Sequence, residues 1–186
     1  PIFNCAGCGN GIVLHAMEKA YSELGIPNTH IVHVTGIGCW GKIEDYLNTC
    51  TMHCTHGRAL SYATGITLAN PDLTVIAIMG DGDGATIGGN HLIHAARRNV
   101  NVTAILLNNL NYGMTGGQYS GTTPEESITS TSIYGHVEQG FDICNLVKAA
   151  GATYVAREIV DSPVTLKNYI KAGIQNKGFS LIEAVS

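Results

Sequence analysis

Thr74-Val-Ile-Ala-Ile-Met-Gly-Asp-Gly82 and Val102-Thr-Ala-Ile-Leu-Leu-Asn-Asn109, whose Asn108-Asn109 follows Gly82 after a gap of 25 residues, decide the reading of this chain. Each is an apolar run of strand length. The first ends in glycines around an aspartate, the second in two asparagines. Runs this apolar, separated by a helix-length segment, belong to a parallel sheet covered on both faces. Two such strands lying side by side bring Asp81 and Asn109 together at one sheet edge. Ligands of open α/β sheets bind there, beyond the carboxyl ends of the strands. A carboxylate, an amide oxygen and glycines that admit close backbone approach suit a hard cation that bridges to phosphates.

The same alternation extends along the chain. Gly9 to Glu23 reads as a helix with Ile12, Val13, Ala16 and Ala20 on one face, and 30–35 reads as a buried strand. His56 to Ala69 reads as a helix stopped by Asn70-Pro71, and 88–98 as the helix between the two diagnostic strands. Further on come a helix at 143–150, a strand at 153–157, a helix opened by Ser162-Pro163 and a closing strand at 179–185. Ser162 is placed at the N-cap and Pro163 at the first helical position. The expected fold is α/β: a doubly wound, mostly parallel sheet with helices on both faces. The whole of 1–186 reads as one domain. Two stretches, 36–55 and 109–141, are too long for mere connectors and are expected to be functional loops.

Composition narrows the function. Of 186 residues 45% are hydrophobic and only 13% charged, so much of the surface is expected to be covered by other subunits. A net charge of −4 with no basic run speaks against nucleic acid. No apolar run is long enough for a membrane span, and no signal peptide is evident. Six cysteines without a secretory signal suggest reduced thiols, some of them metal ligands, in a cytoplasmic protein.

The residues leave alternatives open. Gly80-x-Gly82-x-x-Ala85 fits a dinucleotide fingerprint, but that motif wants an acid at the end of the next strand, where this chain has Asn108-Asn109. Asp83 is awkward as a phosphate contact and reads equally well as a helix N-terminal cap. Cys5-x-x-Cys8 serves zinc, redox chemistry and iron–sulfur clusters alike, and His53 and His56 would complete a zinc set.

Gly80-Asp81-Gly82 with Asn108-Asn109 resembles the diphosphate-binding motif of thiamine-diphosphate enzymes. Adding Tyr112-Gly-Met-Thr-Gly-Gly-Gln118, Cys5-Ala-Gly-Cys8, Gly36-Ile-Gly-Cys39 and His56-Gly-Arg58 makes the chain similar to the beta subunit of a 2-oxoacid:ferredoxin oxidoreductase, most like the 2-oxoglutarate type. The resemblance implies that magnesium is held by the side chains of Asp81 and Asn109 and the backbone carbonyl of Asn111. It places Ile37, Gly38, Cys39, Trp40, His56, Gly82, Asp83, Gly113, Met114 and Thr115 beside thiamine diphosphate. It makes Cys5, Cys8 and Cys39 ligands of a 4Fe–4S cluster, whose fourth cysteine in the family lies past a segment like Leu181–Ser186. The chain stops at that segment and is expected to be a truncated subunit. Cys50, Cys54 and Cys144 are the other candidates, the last two reading as buried small side chains. Trp40 and Ala6 depart from the family's usual small residue and proline.

The implied reaction oxidatively decarboxylates a 2-oxoacid to acyl-coenzyme A and carbon dioxide and passes electrons to ferredoxin. The implied partners are an alpha subunit carrying the pyrimidine-binding domain, with gamma and ferredoxin-like delta subunits in some assemblies. No glutamate here sits in the motif that activates the cofactor, so that acid is expected from the partner, with Glu44 the local alternative. Two other readings stand beside this one: a non-oxidative decarboxylase or transketolase half, and a dinucleotide-binding module without catalysis.

Overall fold

The computed structural model describes residues 4–186. Six parallel strands form one sheet in the order β2-β1-β3-β4-β8-β7. They are β1 (Ile31–Thr35), β2 (Cys50–His53), β3 (Thr74–Gly80), β4 (Thr103–Asn108), β7 (Tyr154–Ile159) and β8 (Ser180–Val185). The intervening β5 (Asn111–Tyr112) and β6 (Gln118–Tyr119) make a separate two-stranded hairpin. Five α-helices connect the strands: α1 (Asn10–Leu24), α2 (Ala59–Ala69), α3 (Gly89–Arg98), α4 (Ile143–Ala150) and α5 (Pro163–Gln175).

Side chains alternate across the sheet and find a helical cover on each side, as period-two strands buried on both faces require. Val34, Ala77, Met79, Leu106 and Leu181 pack under α2, α3 and α4 with Leu60, Leu92, Ile143 and Val147. Ile31, Ile76, Ile78, Ile105 and Ile182 point the other way, under α1 and α5 with Met17, Leu166 and Ile170. No described helix is long and apolar enough to cross a membrane.

The architecture matches the sequence expectation, with three local differences. The 36–55 stretch contains β2, which pairs in parallel with β1 from Val32↔Cys50 to Thr35↔His53. All four residues of β2 are exposed at the sheet edge, so no apolar alternation announced it. The turn after β3 is not a tight glycine bend but a wide helical turn over Gly82–Ile87, closed by the Gly88 N–H on the Asp83 carbonyl at 2.9 Å. Ser162 does precede α5, with Pro163 at its start, yet its side chain makes no capping bond.

Candidate functional site

The register puts the two diagnostic strand ends side by side. β3 and β4 pair with Gly80 opposite Leu107, so Asp81 and Asn109 leave the sheet together. β1 ends next to them, delivering Gly36 to Trp40, and the turn before α2 delivers His56. A cleft with about 600 Å³ of open space lies across these ends. Ile37, Gly38, Cys39, Trp40, His56, Asp81, Gly82, Asp83, Asn109, Asn111, Gly113, Met114 and Thr115 all line it. Every residue assigned above to the cation or the cofactor therefore meets at one place.

Asp81 is the floor of the cleft and is 1% exposed. Its Oδ2 accepts hydrogen bonds from the Ser120 hydroxyl and, at 2.8 Å, from Thr122 Oγ1. Burial pushes the carboxyl above its ordinary range, and these bonds work against that shift. Its Oδ1 faces the Asn109 amide. One amide atom lies 2.9 Å from Asp81 Oδ1 and 2.8 Å from the Asn111 carbonyl oxygen. With nitrogen in that position both are hydrogen bonds. With oxygen there, it lies 2.8–2.9 Å from each of the other two oxygens, a separation that matches the edge of an octahedron with metal–oxygen bonds of about 2.0–2.1 Å. The donor set thus fits magnesium: one carboxylate, one amide and one backbone oxygen at the floor of the cleft.

Asp83 lines the cleft with the other expected residues, and its side chain also ties three segments together. Oδ1 accepts from Gly57 N–H at 2.7 Å, from Ile37 N–H at 3.2 Å and from His56 Nδ1 at 2.6 Å. None of those donors belongs to the helical turn Gly82–Ile87 in which Asp83 sits. Among the described residues Oδ2 is buried without a partner. Gly36 sits against it, and a Cβ there would collide with both carboxylate oxygens. Since Nδ1 of His56 donates to the carboxylate, Nε2 is the free ring nitrogen.

Tyr112, Asn10, Ser120 and Thr122 were not among the site residues expected from sequence. Tyr112 stands edge-on to His56 with ring centres 6.1 Å apart, and its hydroxyl donates to the Gly82 carbonyl at 3.2 Å. A Cβ on Gly82 would run into that ring, which is why this turn takes glycine. Asn10 lines the cleft from the start of α1. Ser120 and Thr122 lie in the Gly/Thr/Ser-rich 109–141 loop and are 1% and 5% exposed. Hydroxyls this deeply buried tie the loop to the site; its length had marked it as functional, but a sequence without periodicity did not single out these two residues.

The cysteines divide into two groups. Cys5 and Cys8, near the start of the described chain, lie close enough to Cys39 to oppose its ionisation, which burial already makes harder. Cys39 also lines the cleft. Among the described residues no group of three or more His, Cys, Asp or Glu side chains is gathered to hold a metal ion, so neither the zinc set of Cys5, Cys8, His53 and His56 nor the cluster set of Cys5, Cys8 and Cys39 stands assembled. His53 instead pairs with Glu44 at 2.9 Å, and His56 with Asp83. Cys54 donates to the Thr35 carbonyl at 3.0 Å and burial raises its thiol to about 11. Cys144 donates to Glu183 at 3.1 Å and is raised to about 12 by burial and that carboxylate. Both thiols are engaged by oxygens of the protein. Cys50 is exposed on β2.

Glu44, the local alternative for an activating acid, accepts from Thr35 Oγ1 at 2.8 Å and from His53, and does not line the cleft. Asp81 and Asp83 are the carboxylates that do, among the described residues. Both are engaged at its floor.

Comparison with known proteins agrees with this geometry. The family described as thiamine pyrophosphate enzyme, C-terminal TPP binding domain, matches residues 36–184. Over all 186 residues the chain is 54% identical to 2-oxoglutarate synthase subunit KorB of Methanothermobacter thermautotrophicus, covering 65% of that protein. It is 52% identical to the protein of the same name from Archaeoglobus fulgidus, covering 69% of it. A solved structure of 2-oxoglutarate:ferredoxin oxidoreductase from Magnetococcus marinus, with 2-oxoglutarate, coenzyme A and succinyl-CoA bound, superimposes with a TM-score of 0.98 at 39% identity. The match covers 100% of this chain and 64% of that one. The chain thus spans about two thirds of the length of these relatives. With the strand-end motif, the cleft and these likenesses together, the chain belongs to the thiamine-pyrophosphate-binding beta subunits of the 2-oxoacid:ferredoxin oxidoreductases.

Proposed function

We propose that this chain is the diphosphate-binding part of a subunit that oxidatively decarboxylates 2-oxoglutarate, with coenzyme A as acyl acceptor and ferredoxin as electron acceptor. The observation that carries the reading is the Asn109 amide lying 2.8–2.9 Å from both Asp81 Oδ1 and the Asn111 carbonyl at the floor of a cleft at the strand ends. Magnesium held there by these oxygens would neutralise the buried Asp81 and receive the diphosphate. Gly82, Gly113, Met114 and Thr115 would wall the cofactor's anionic end, and Ile37, Gly38, Cys39 and Trp40, from the loop after β1, line the same cleft. His56 presents Nε2, because Asp83 holds its other nitrogen.

Bound thiamine diphosphate supplies the electron sink that lets a 2-oxoacid lose carbon dioxide. A 4Fe–4S cluster held by Cys5, Cys8 and Cys39, with a fourth ligand from outside this stretch, would accept electrons singly and pass them to ferredoxin. The acid that activates the cofactor belongs on this reading to an alpha subunit with the pyrimidine-binding domain, since the cleft's own carboxylates are committed to its floor. Gamma and delta subunits fit the same assembly, and the cytoplasm is its expected compartment. The choice of 2-oxoglutarate is supported by the names of the relatives and by the ligands of the similar structure.

The test is calorimetry on the natural assembly freed of cofactor. Thiamine diphosphate should bind only with a divalent cation, NAD should not bind, and Asp81→Ala should abolish the cation-dependent heat. Reduction of ferredoxin should then require both 2-oxoglutarate and coenzyme A. Binding of thiamine diphosphate to Asp81→Ala with unchanged cation dependence refutes the assignment.

A further inference from the structure

We infer that Ser120 and Thr122 form a hydroxyl clamp that keeps Asp81 monodentate and so makes the cation site selective for a small, octahedral ion over calcium. The inference rests on the magnesium reading above and assigns a specificity role to residues outside the diphosphate motif.

A carboxylate can meet a cation through one oxygen or through both. Calcium accepts both, at longer bonds and with up to eight ligands. Magnesium demands six near-ideal positions and takes carboxylates through one oxygen. In this site the choice is made by hydrogen bonding. Asp81 Oδ2 receives two hydroxyl donors, Ser120 and Thr122, which occupy its lone pairs. Only Oδ1 is left to face Asn109 and Asn111.

The clamp is itself rigid. Ser120 N–H donates to Thr123 Oγ1 at 2.9 Å, and Thr123 Oγ1 donates to the Leu110 carbonyl at 2.6 Å. Thr122 Oγ1 also lies 3.0 Å from Asn108 Oδ1, a second and longer acceptor for its single proton, and the Asn108 amide donates to the buried Glu183 at 2.8 Å. Gly121 N–H is held by Thr86 Oγ1 at 2.8 Å. Ser120 and Thr123 are 1% exposed and Thr122 is 5%, so water does not compete for these bonds. The 109–141 loop therefore docks onto the back of the cation's carboxylate and fixes its angle.

The experiment titrates thiamine diphosphate calorimetrically into cofactor-free natural assembly, with saturating magnesium or saturating calcium. The variants are Ser120→Ala, Thr122→Val, the double variant and Thr122→Ser. Loss of a group that orients a metal ligand typically costs ~10–100-fold in metal affinity. Ser120→Ala and Thr122→Val should therefore weaken magnesium-supported binding by about tenfold or more and calcium-supported binding much less, so that the magnesium preference falls. Thr122→Ser, which keeps the hydroxyl, should restore the wild-type ratio. If the double variant does not fold, the two single variants decide. Equal losses with both cations, or an unchanged ratio in both single variants, overturns the clamp while leaving the cation site intact. A wild-type assembly that binds thiamine diphosphate equally well without any cation overturns the magnesium reading instead.

Discussion

Asp83→Ala separates two roles that the position alone would allow, cofactor ligand and internal tether. In the structure Asp83 Oδ1 is the acceptor for Gly57 N–H, Ile37 N–H and His56 Nδ1. Alanine removes all three acceptor contacts. The Ile37 amide and His56 are partly exposed and can recover water, but the Gly57 amide is buried. Stranding one buried donor costs about 1–3 kcal/mol, so a central value of about 2 kcal/mol falls on the turn that starts α2. Relief of repulsion with Asp81 acts in the opposite direction on overall stability. It does not restore the Gly57 bond, so it leaves the local sign unchanged. Amide hydrogen exchange reads that local cost directly. In the natural assembly without cofactor, the Gly57 amide should exchange about 30-fold faster in the variant, since each ~1.4 kcal/mol is tenfold. If Asp83 acted only by touching the cofactor, exchange in the cofactor-free variant would match the wild type, and the tether would be refuted.

Gly36→Ala should reproduce the Asp83→Ala exchange pattern, because its Cβ would displace the same carboxylate; a wild-type pattern would show that Asp83 can shift without letting go. Cys39→Ser should lower iron content in anaerobically purified assembly, while Cys54→Ser leaves it unchanged; equal iron in both variants, or zinc in place of iron, refutes the cysteine assignment. Buried His33 is held neutral between Tyr21 and Thr49, and burial lowers it from 6.5 to about 4. The unfolded chain takes up that proton first, so this stabilisation is complete above pH 6.5 and is lost as pH falls through 4. It amounts to about 3 kcal/mol. Chemical denaturation across that window should show the fall in the wild type and not in His33→Gln; a flat wild-type profile contradicts it.

The elements legible in the sequence were those whose burial writes a pattern. β3 and β4 are buried on both faces and read as unbroken apolar runs, and their pairing followed from parallel order. That placed Asp81 and Asn109 together before any coordinates. β2 was not legible, because an exposed edge strand of Cys-Thr-Met-His has no reason to alternate. Ser120 and Thr122 were hidden for a related reason. Their partner Asp81 lies about 40 positions earlier in the sequence, and a loop that docks by hydroxyl bonds carries no period to detect. Asp83 was seen as a residue of the cleft, but its tether to two other segments, at Ile37 and at His56–Gly57, was not legible. Local spacing shows that a carboxylate is present, and only the tertiary fold shows which way it faces.

The account stands most directly on where the cation sits. Crystals of the natural assembly grown with thiamine diphosphate and manganese as an anomalous stand-in for magnesium give that position without reference to activity. The expected result is one anomalous peak about 2.1–2.3 Å from Asp81 Oδ1, the Asn109 amide oxygen and the Asn111 carbonyl, in contact with the diphosphate. A peak elsewhere, or a bound diphosphate with no cation between it and Asp81, would contradict it.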